Sequence, residues 1–243
     1  MTAAPSISII VVTLNEMGNL PGLFASLRAQ TDREFDLLIV DGRSKDGTFA
    51  LVQESRDIVT YCVSEPDFGF YDALNKGIRA ARTDFYLVVG ADDRLEPTAI
   101  ADFRAVASCA DIVVAGVRAS GRIRQGCKPQ NAWLGPSRTL TSHSVGTLIR
   151  TRLHRDFGYY SLRYPILADW HFLKRALTAP GSRVAAGSFV AGTFAAGGLS
   201  TRNFVRTLCE LWLVQRETGE SAAVQYLLFQ MRLLYNIRKV VAR

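Results

Sequence analysis

The sequence has 243 residues, of which 48% are hydrophobic and 21% are charged, and its net charge is +7. This length and composition suit one globular α/β domain with extensions, or two small domains, and exclude a low-complexity chain. The positive charge favours anionic partners such as nucleotide phosphates or acidic lipid headgroups. Nucleic acid is the least favoured partner, because no nucleic-acid motif with interleaved aromatic residues is present.

The first ninety residues alternate between apolar runs and helical patterns. We predict strands at 6–13, 35–40, 59–64 and 85–89, with helices between them. This alternation is typical of βαβ units and implies a parallel sheet flanked by helices. No glycine-rich dinucleotide fingerprint follows the first strand and no P-loop occurs, so neither of those nucleotide-binding classes is indicated.

Polar side chains follow three of these four strands. They are Thr13, Asn15 and Glu16 after the first strand, Asp41 after the second, and Asp92 with Asp93 after the fourth. The carboxyl ends of parallel strands meet at one edge of a sheet, so these side chains should converge there. Adjacent carboxylates repel each other, and a hard divalent cation with phosphate ligands suits such a pair. Taken alone, the pair is more often a cap and turn before a helix.

The second half of the chain is less regular. We predict a helix at 97–107, a strand at 111–117, a basic loop or hairpin region at 118–138 and a strand at 142–149. A further helix begins near residue 166, with Asp169 in its first turn, where the helix dipole favours a carboxylate. A strand near Phe189 and a turn at 197–201 follow.

Two helices are predicted at 205–215 and 222–241. In the second, one narrow polar stripe runs along the helix, formed by Gln225, Arg232, Asn236, Lys239 and Arg243. The broad apolar remainder suits either packing on the domain or lying in a membrane interface.

The cysteines and the first residues favour a cytoplasmic protein. Cys62, Cys109, Cys127 and Cys209 form no CxxC pair and no zinc pattern, so we expect buried free thiols in a reducing compartment. Residues 1–5 lack a secretory signal, and no apolar stretch of about 18 residues predicts a transmembrane helix.

Several segments together resemble the large family 2 of inverting nucleotide-sugar glycosyltransferases. They are IIVVTLNE at 9–16, IVDGRSKDGT at 39–48, SEPDFGFYDALNKGI at 64–78, DFYLVVGADD at 84–93, HSVGTLIR at 143–150, the ADW around Asp169 and the GGLS turn. Each segment alone is weak, but their order and spacing are specific and cover roughly 7–200. The set is most similar to the branch that assembles bacterial capsule, exopolysaccharide and lipopolysaccharide.

The resemblance implies the GT-A fold, an α/β fold with a Rossmann-like, mixed and mostly parallel sheet flanked by helices. It implies a GT-A domain at 1–201, with a nucleotide-sugar-binding half at 1–118 and an acceptor-binding half at 119–201. A C-terminal helical extension at 202–243 would follow. The implied cofactor is a divalent cation, Mg²⁺ or Mn²⁺.

The resemblance also assigns donor-side roles. The nucleotide-sugar candidates are Thr13, Asn15, Glu16, Asp41, Asp72, Asn75, Lys76 and Asp92. Asp41 corresponds to the carboxylate that accepts a hydrogen bond from a uracil or guanine ring, although an Asp before a glycine also initiates turns. Asn15 would equally cap the next helix, and Asn75 and Lys76 would equally be solvated helix residues.

Asp93 corresponds to the metal ligand, with Asp92 near the ribose or donor sugar. Ala91 stands where the family usually has a first acid, so the donor diphosphate would complete the coordination shell. Asp169 matches the catalytic base that takes a proton from the attacking hydroxyl. On the acceptor side, Trp170 is either a sugar-stacking platform or core, and His143 either approaches the phosphates or acceptor or is structural.

The resulting prediction is an inverting, metal-dependent glycosyltransferase that uses a UDP-sugar in preference to GDP- or dTDP-sugars. The acceptor would be a glycan or a lipid-linked glycan, with contact to the inner membrane surface as one role for the C-terminus. One alternative is a sugar-phosphate nucleotidyltransferase, but LNEMG at 14–18 replaces the glycine-rich, arginine-containing loop of that class. Another is a catalytically silent nucleotide-binding subunit of a polysaccharide complex, against which the intact Asp93 and Asp169 argue.

Overall fold

A computed structural model describes residues 4–124, 143–195 and 203–236 of the chain. Its strands are β1 (Ile7–Thr13), β2 (Phe35–Asp41), β3 (Tyr61–Ser64), β4 (Phe85–Val88), β5 (Arg94–Leu95), β6 (Ile112–Ala119), β7 (Arg122–Arg124), β8 (Thr147–Arg150) and β9 (Val184–Phe194). Its helices are α1 (Leu20–Arg28), α2 (Thr48–Glu54), α3 (Phe70–Ala80), α4 (Ala99–Ala107), α5 (Leu153–Phe157), α6 (Ala168–Thr178), α7 (Phe204–Glu217) and α8 (Ala222–Tyr235). Within these ranges the strands form one mixed sheet in the order β3-β2-β1-β4-β8-β6-β9-β5, with β7 on β6. This confirms the predicted α/β class.

The first four strands form the parallel half of the sheet, as the alternation predicted. β1 pairs in parallel with β2 and β4, and β2 pairs in parallel with β3. β1 and β4 are buried almost throughout, which explains their continuous apolar runs. The register aligns Thr13 with Asp41 and Asp41 with Ser64, so polar residues from three strands meet at one edge.

The second half of the sheet contains the differences from the prediction. β8 lies antiparallel between β4 and β6, and β9 runs parallel to β6. β7 forms a hairpin with β6, which confirms the start of the predicted hairpin region. The rest of that region, at 125–142, lies outside the described residues, and so does the turn predicted at 197–201. The two-residue strand β5 and the short helix α5 were not predicted, because neither is long enough to show a period. The strand predicted at 142–149 begins with a 3₁₀ turn at Ser144–Gly146.

Apolar residues cover both faces of the sheet. On one face, α1 and α4 contribute Leu23, Phe24 and Phe103 to a cluster with Ile9 of β1. On the other face, α3, α6 and α7 pack on Ile10 and its neighbours, with Phe172 and Val214 almost fully buried. The first C-terminal helix is therefore part of the core beneath α6.

The second C-terminal helix, α8, presents its apolar residues outward. Gln225, from the predicted polar stripe, is buried and donates a hydrogen bond to Glu220, which also pairs with the buried Lys174. Exposed apolar side chains lie along the opposite side of the helix, at Val224, Tyr226, Leu227, Met231, Leu234 and Tyr235. These polar contacts hold one side of the helix, and Leu228, Phe229 and Leu233 are partly buried. The exposed side chains form an apolar stripe that faces solvent.

Two further observations concern the predicted compartment. Cys109 and Cys209 are free and exposed and Cys62 is free and half-buried, so the expected burial is wrong for two of these thiols. Across the described ranges, the helices are too short or too polar to span a bilayer.

Candidate active site

Asp41 lies at the centre of the polar edge and is completely buried. Its carboxylate accepts hydrogen bonds from the hydroxyl groups of Thr13 at 3.0 Å and Ser64 at 2.6 Å. Ser44 donates both its backbone N–H, at 3.0 Å, and its hydroxyl. These donors fasten the ends of β1, β2 and β3 to one anion. For a nucleobase to reach Asp41, one of the serine hydroxyls would have to rotate away.

Asn15 and Glu16 shape the loop after β1. Asn15 has a φ of 58°, a left-handed conformation that asparagine tolerates. Its side-chain oxygen accepts the Lys45 N–H at 2.9 Å, and Glu16 accepts a hydrogen bond from Asn19 at 2.7 Å. α1 begins only at Leu20, so Asn15 is not its cap. It instead ties the loop after β1 to the loop after β2.

The beginning of α3 separates the three candidates predicted there. Asp72 accepts the N–H of Phe68 at 3.1 Å and therefore ties the first turn of α3 to the loop before it. Lys76 binds the carbonyl of Pro66 at 2.6 Å and pairs with Glu65 at 2.9 Å, so it secures the loop before the helix.

Asn75 has a different environment from the predicted one. It is 3% exposed, and its amide exchanges two hydrogen bonds with the backbone of Tyr160, at 2.8 and 3.0 Å. The structure therefore gives Asn75 the task of joining α3 to the segment before α6, because its side chain turns inward instead of toward the strand ends.

The loop between β3 and α3 lies close to the polar edge. A Cβ atom on Gly42 would stand 2.5 Å from the Asp67 carboxylate, so a larger residue here would push that side chain away. Beside Asp67, Phe68 is 92% exposed. An aromatic ring so placed is available to stack on a planar ligand group. Periodicity did not identify it, because loop residues carry no periodic signal.

Asp92 and Asp93 follow β4 but differ in exposure. Asp93 is 1% exposed and accepts the N–H groups of Gly90 at 2.9 Å and Ala195 at 3.3 Å. Burial raises the pKa of Asp93 to about 6, although these hydrogen bonds act in the opposite direction. Asp92 is exposed. The more accessible carboxylate is therefore Asp92, whereas the sequence suggested Asp93 for the direct metal contact.

Asp169 lies in the first turn of α6, as predicted. Its Oδ1 accepts the Trp170 N–H at 2.7 Å and lies 2.7 Å from the Tyr71 hydroxyl. In the described part of the chain, Oδ2 has no such donor. Burial raises the pKa of Asp169, opposed chiefly by the Tyr71 hydrogen bond. One carboxylate oxygen is thus held while the other is left for a ligand.

Tyr71 is a residue that the sequence reading missed. It is 5% exposed on α3, and its hydroxyl also lies 2.8 Å from the carbonyl oxygen of Ile166. Because a hydroxyl has one proton, Tyr71 donates either to Ile166 or to Asp169 at a given moment. In the sequence, Tyr71 has the helical spacing of an ordinary core residue. Its ring does belong to the apolar core, and only its hydroxyl reaches Asp169.

His143 is influenced both by Asp92, which follows β4, and by Asp169. Its ring stacks on Phe194 with centroids 3.8 Å apart. Burial lowers the pKa of His143, while the nearby carboxylates of Asp169 and Asp92 both act to raise it. Trp170 is partly buried and packs against the apolar cluster that α3, α6 and α7 form on one face of the sheet. The charges of Asp92 and Asp169 thus both influence the pKa of the same ring.

The described residues contain no group of three or more His, Cys, Asp or Glu side chains arranged to hold a metal ion. Mg²⁺ commonly binds one or two carboxylates and takes its other ligands from substrate phosphates and water. Asp92 and Asp93 fit that mode of binding, since they are adjacent carboxylates at the carboxyl end of β4.

Comparisons with known proteins agree with this architecture. The model of the family described as glycosyl transferase family 2 matches residues 8–167. The PGL/p-HBAD biosynthesis glycosyltransferase of Mycobacterium bovis is 34% identical over 189 residues, which cover 73% of this chain and 72% of that protein.

Solved structures show the same fold. Staphylococcus aureus TarS 1–349 in complex with UDP aligns with 90% of this chain and 68% of its own, with a TM-score of 0.64 and 19% identity. The mannosyltransferase PcManGT from Pyrobaculum calidifontis, in complex with GDP-Man and Mn²⁺, aligns with 89% of this chain and 64% of its own. Its TM-score is 0.66 at 18% identity. The sheet, the family match and the relatives agree: the chain belongs to glycosyl transferase family 2 and is a glycosyltransferase with the GT-A fold.

Proposed function

We propose that this enzyme transfers a sugar, with inversion, from a nucleotide sugar to an acceptor hydroxyl, and that Asp169 is its base. One observation carries the proposal: the His143 ring stacks on Phe194, the next residue Ala195 donates its N–H to Asp93, and the charges of Asp92 and Asp169 both act to raise the pKa of this ring. A donor diphosphate near Asp92 and an acceptor near Asp169 would therefore share one site.

The geometry of Asp169 suits proton removal. Oδ1 is held by Trp170 and Tyr71, which leaves Oδ2 to accept the proton of the acceptor hydroxyl. The hydroxyl oxygen forms a bond to the anomeric carbon while the bond from that carbon to the diphosphate oxygen breaks. The proton stays on Asp169 and the nucleoside diphosphate leaves. The raised pKa of Asp169 makes the carboxylate a stronger base.

On the donor side, the nucleotide lies along the ends of β1 and β2. Asp41, with the Asn15 and Glu16 loop beside it, faces the base, and Phe68 offers an exposed ring for stacking. TarS binds UDP and the mannosyltransferase binds GDP-Man; for this chain we favour a UDP-sugar. Asp92 and Asp93 would hold a divalent cation, which when bound neutralises charge on the departing diphosphate.

The acceptor is a glycan or a lipid-linked glycan of the bacterial cell surface. One relative is named for PGL/p-HBAD biosynthesis, which supports an acceptor attached to a lipid. Such an acceptor places the enzyme at the cytoplasmic face of the membrane.

The apolar stripe of α8 supports the same location. Four of its residues, Val224, Leu227, Met231 and Leu234, form a continuous line along the helix. These side chains recur at helical spacing and are exposed. The sequence from 222 to its end contains no acidic residue and includes Arg238, Lys239 and Arg243. An exposed apolar face beside basic residues is complementary to an anionic lipid surface.

The first prediction concerns the base. Asp169→Asn should lower the rate of nucleoside diphosphate release by about 100- to 10,000-fold, the usual contribution of a general base. Donor binding should be nearly unchanged, because the amide keeps the shape of the side chain. The assay follows diphosphate release with water as the acceptor. Asp156→Asn, which alters an exposed acid on α5, is the control, and wild-type turnover in Asp169→Asn would refute the assignment.

The second prediction concerns the pKa of that base. Tyr71→Phe removes a donor that stabilises the ionised carboxylate, so the pKa of Asp169 should rise further. Since only the carboxylate accepts a proton, the acid limb of the pH–rate profile should move to higher pH. Tyr86→Phe is the matched control, because its buried hydroxyl binds His154 and Tyr160. Coincident profiles for Tyr71→Phe and the wild type would contradict the role of Tyr71.

The third prediction concerns the donor and the cation. UDP-glucose, UDP-N-acetylglucosamine, GDP-mannose and dTDP-rhamnose are compared by thermal shift, each with Mn²⁺ and with EDTA. A donor at 100 times its Kd adds about 2.7 kcal/mol to stability, which is a shift of several degrees in Tm. We expect the largest shift with a UDP-sugar and Mn²⁺, and its loss in Asp92→Asn. An equal shift in EDTA would exclude the proposed cation site.

The fourth prediction concerns the membrane. The wild type should sediment with vesicles containing phosphatidylglycerol, and less as salt is added. Replacing Leu227, Met231 and Leu234 together by Ser should abolish this binding, whereas Leu162→Ser, at an exposed apolar site outside α8, should not. If the triple variant instead converts a dimer to a monomer and vesicle binding is absent throughout, the stripe binds a second copy and the membrane proposal fails.

A further inference from the structure

A buried carboxylate of α7 lies against the segment that carries Asp169. Glu210 is 5% exposed, although glutamate is among the residues least often buried. Its Oε2 accepts the backbone N–H of Ile166 at 2.9 Å and the N–H of Leu167 at 3.0 Å. A charge in this position is costly unless hydrogen bonds compensate it, so Glu210 and this segment are fixed to each other.

The two N–H groups stand immediately before the first turn of α6. The N–H groups at a helix start have no partner within the helix, and here Glu210 and Asp169 accept three of the N–H groups at and just before that start. Glu210 binds those of Ile166 and Leu167, and Asp169 binds that of Trp170. Glu210 thus fixes the backbone two residues before the proposed base, where the direction of its side chain is set.

Tyr71 holds the same segment from the opposite side. Its hydroxyl lies within hydrogen-bond distance of the Ile166 carbonyl and of Asp169 Oδ1. When the Tyr71 hydroxyl donates to the Ile166 carbonyl, the N–H and the C=O of Ile166 are both bound, one to α7 and the other to α3. When it donates to Asp169 instead, it holds the side chain of Asp169 directly. The backbone ahead of Asp169 cannot rotate without breaking one of these contacts.

α7 is itself rigidly attached. Val214 is fully buried in the core beneath α6, and Arg206 pairs with Glu210 at 3.1 Å. Glu217, one turn beyond Val214, pairs with Arg163 at 2.7 Å. These contacts hold Glu210 in place from within its own helix and from the segment before α6.

We propose that Glu210 is a positioning residue for Asp169, so that the C-terminal helix α7 is part of the catalytic machinery. This inference rests on the proposed role of Asp169 as the base. A displacement of about 1 Å in a catalytic group lowers the rate by about 100-fold. Loss of Glu210 therefore reduces turnover without touching the donor site.

The test compares Glu210→Ala, Glu210→Gln and Glu217→Ala. Glu217→Ala is the control on the same helix, because it removes the contacts with Arg163 and with His171 of α6 but no contact with Ile166 or Leu167. We expect Glu210→Ala to speed amide hydrogen exchange at 166–167 by at least about 10-fold, because these N–H groups lose their acceptor. Diphosphate release from the preferred UDP-sugar should fall by about 10- to 100-fold, with its thermal shift unchanged.

Glu210→Gln should restore most of the turnover, since the amide oxygen accepts the same two hydrogen bonds. Normal turnover in Glu210→Ala, or an equal loss in Glu217→Ala, would overturn the inference. If Glu210→Ala does not fold, Glu210→Asp, which keeps the charge but is one methylene shorter, takes its place with the same expected losses. Turnover that survives in Asp169→Asn would refute the role of Asp169 as the base. An inactive Asp169→Asn together with a fully active Glu210→Ala would refute only the positioning role of Glu210.

Discussion

Buried carboxylates that are saturated with hydrogen bonds hold this protein's site together. An anion inside a protein is tolerated only when donors replace the water it has lost. Asp41 gathers hydroxyl and backbone donors from three strand ends, and Asp93 binds two backbone N–H groups. Glu210 does the same for the segment before α6. Each acid therefore fixes the pieces of backbone that surround it, and the site is rigid because its anions are buried.

Asp169 differs from Asp41, Asp93 and Glu210 in the hydrogen bonds of its two carboxylate oxygens. Two donors hold Oδ1, whereas within the described chain Oδ2 is left without one. Burial raises the pKa of Asp169, and the Tyr71 hydroxyl opposes that rise. The balance between desolvation and hydrogen bonding therefore sets the basicity of the group, and a carboxylate that remains ionised while partly desolvated is suited to accept a proton.

The C-terminal helices divide two tasks. α7 joins the core through Val214 and reaches the segment that carries Asp169 through Glu210. α8 attaches through the polar contacts of Gln225 and Glu220 and leaves an apolar stripe outside. The predicted C-terminal helical extension at 202–243 thus has two different parts within its described residues. Its first helix supports the site, and its second offers a surface.

The sequence by itself determined the class of fold and the acids of the site. Continuous apolar runs give parallel strands because both faces of such strands are buried, and the residue after each strand must then lie at the common edge. This reasoning predicted Asp41, Asp92 and Asp93 at that edge, and a position in the first turn of a helix together with the motif resemblance predicted the role of Asp169. Short elements such as β5 escaped prediction because two residues show no period.

Only the tertiary structure decided which of these side chains are accessible and what holds them. Asn75 and Asp72 lie in the same helix turn and look alike in sequence, yet Asn75 binds Tyr160 in the interior while Asp72 binds the loop before the helix. Tyr71 and Glu210 reach the segment before Asp169 from sites 95 residues before and 44 residues after Ile166. Contacts of such long range arise from packing, and local propensity carries no information about them.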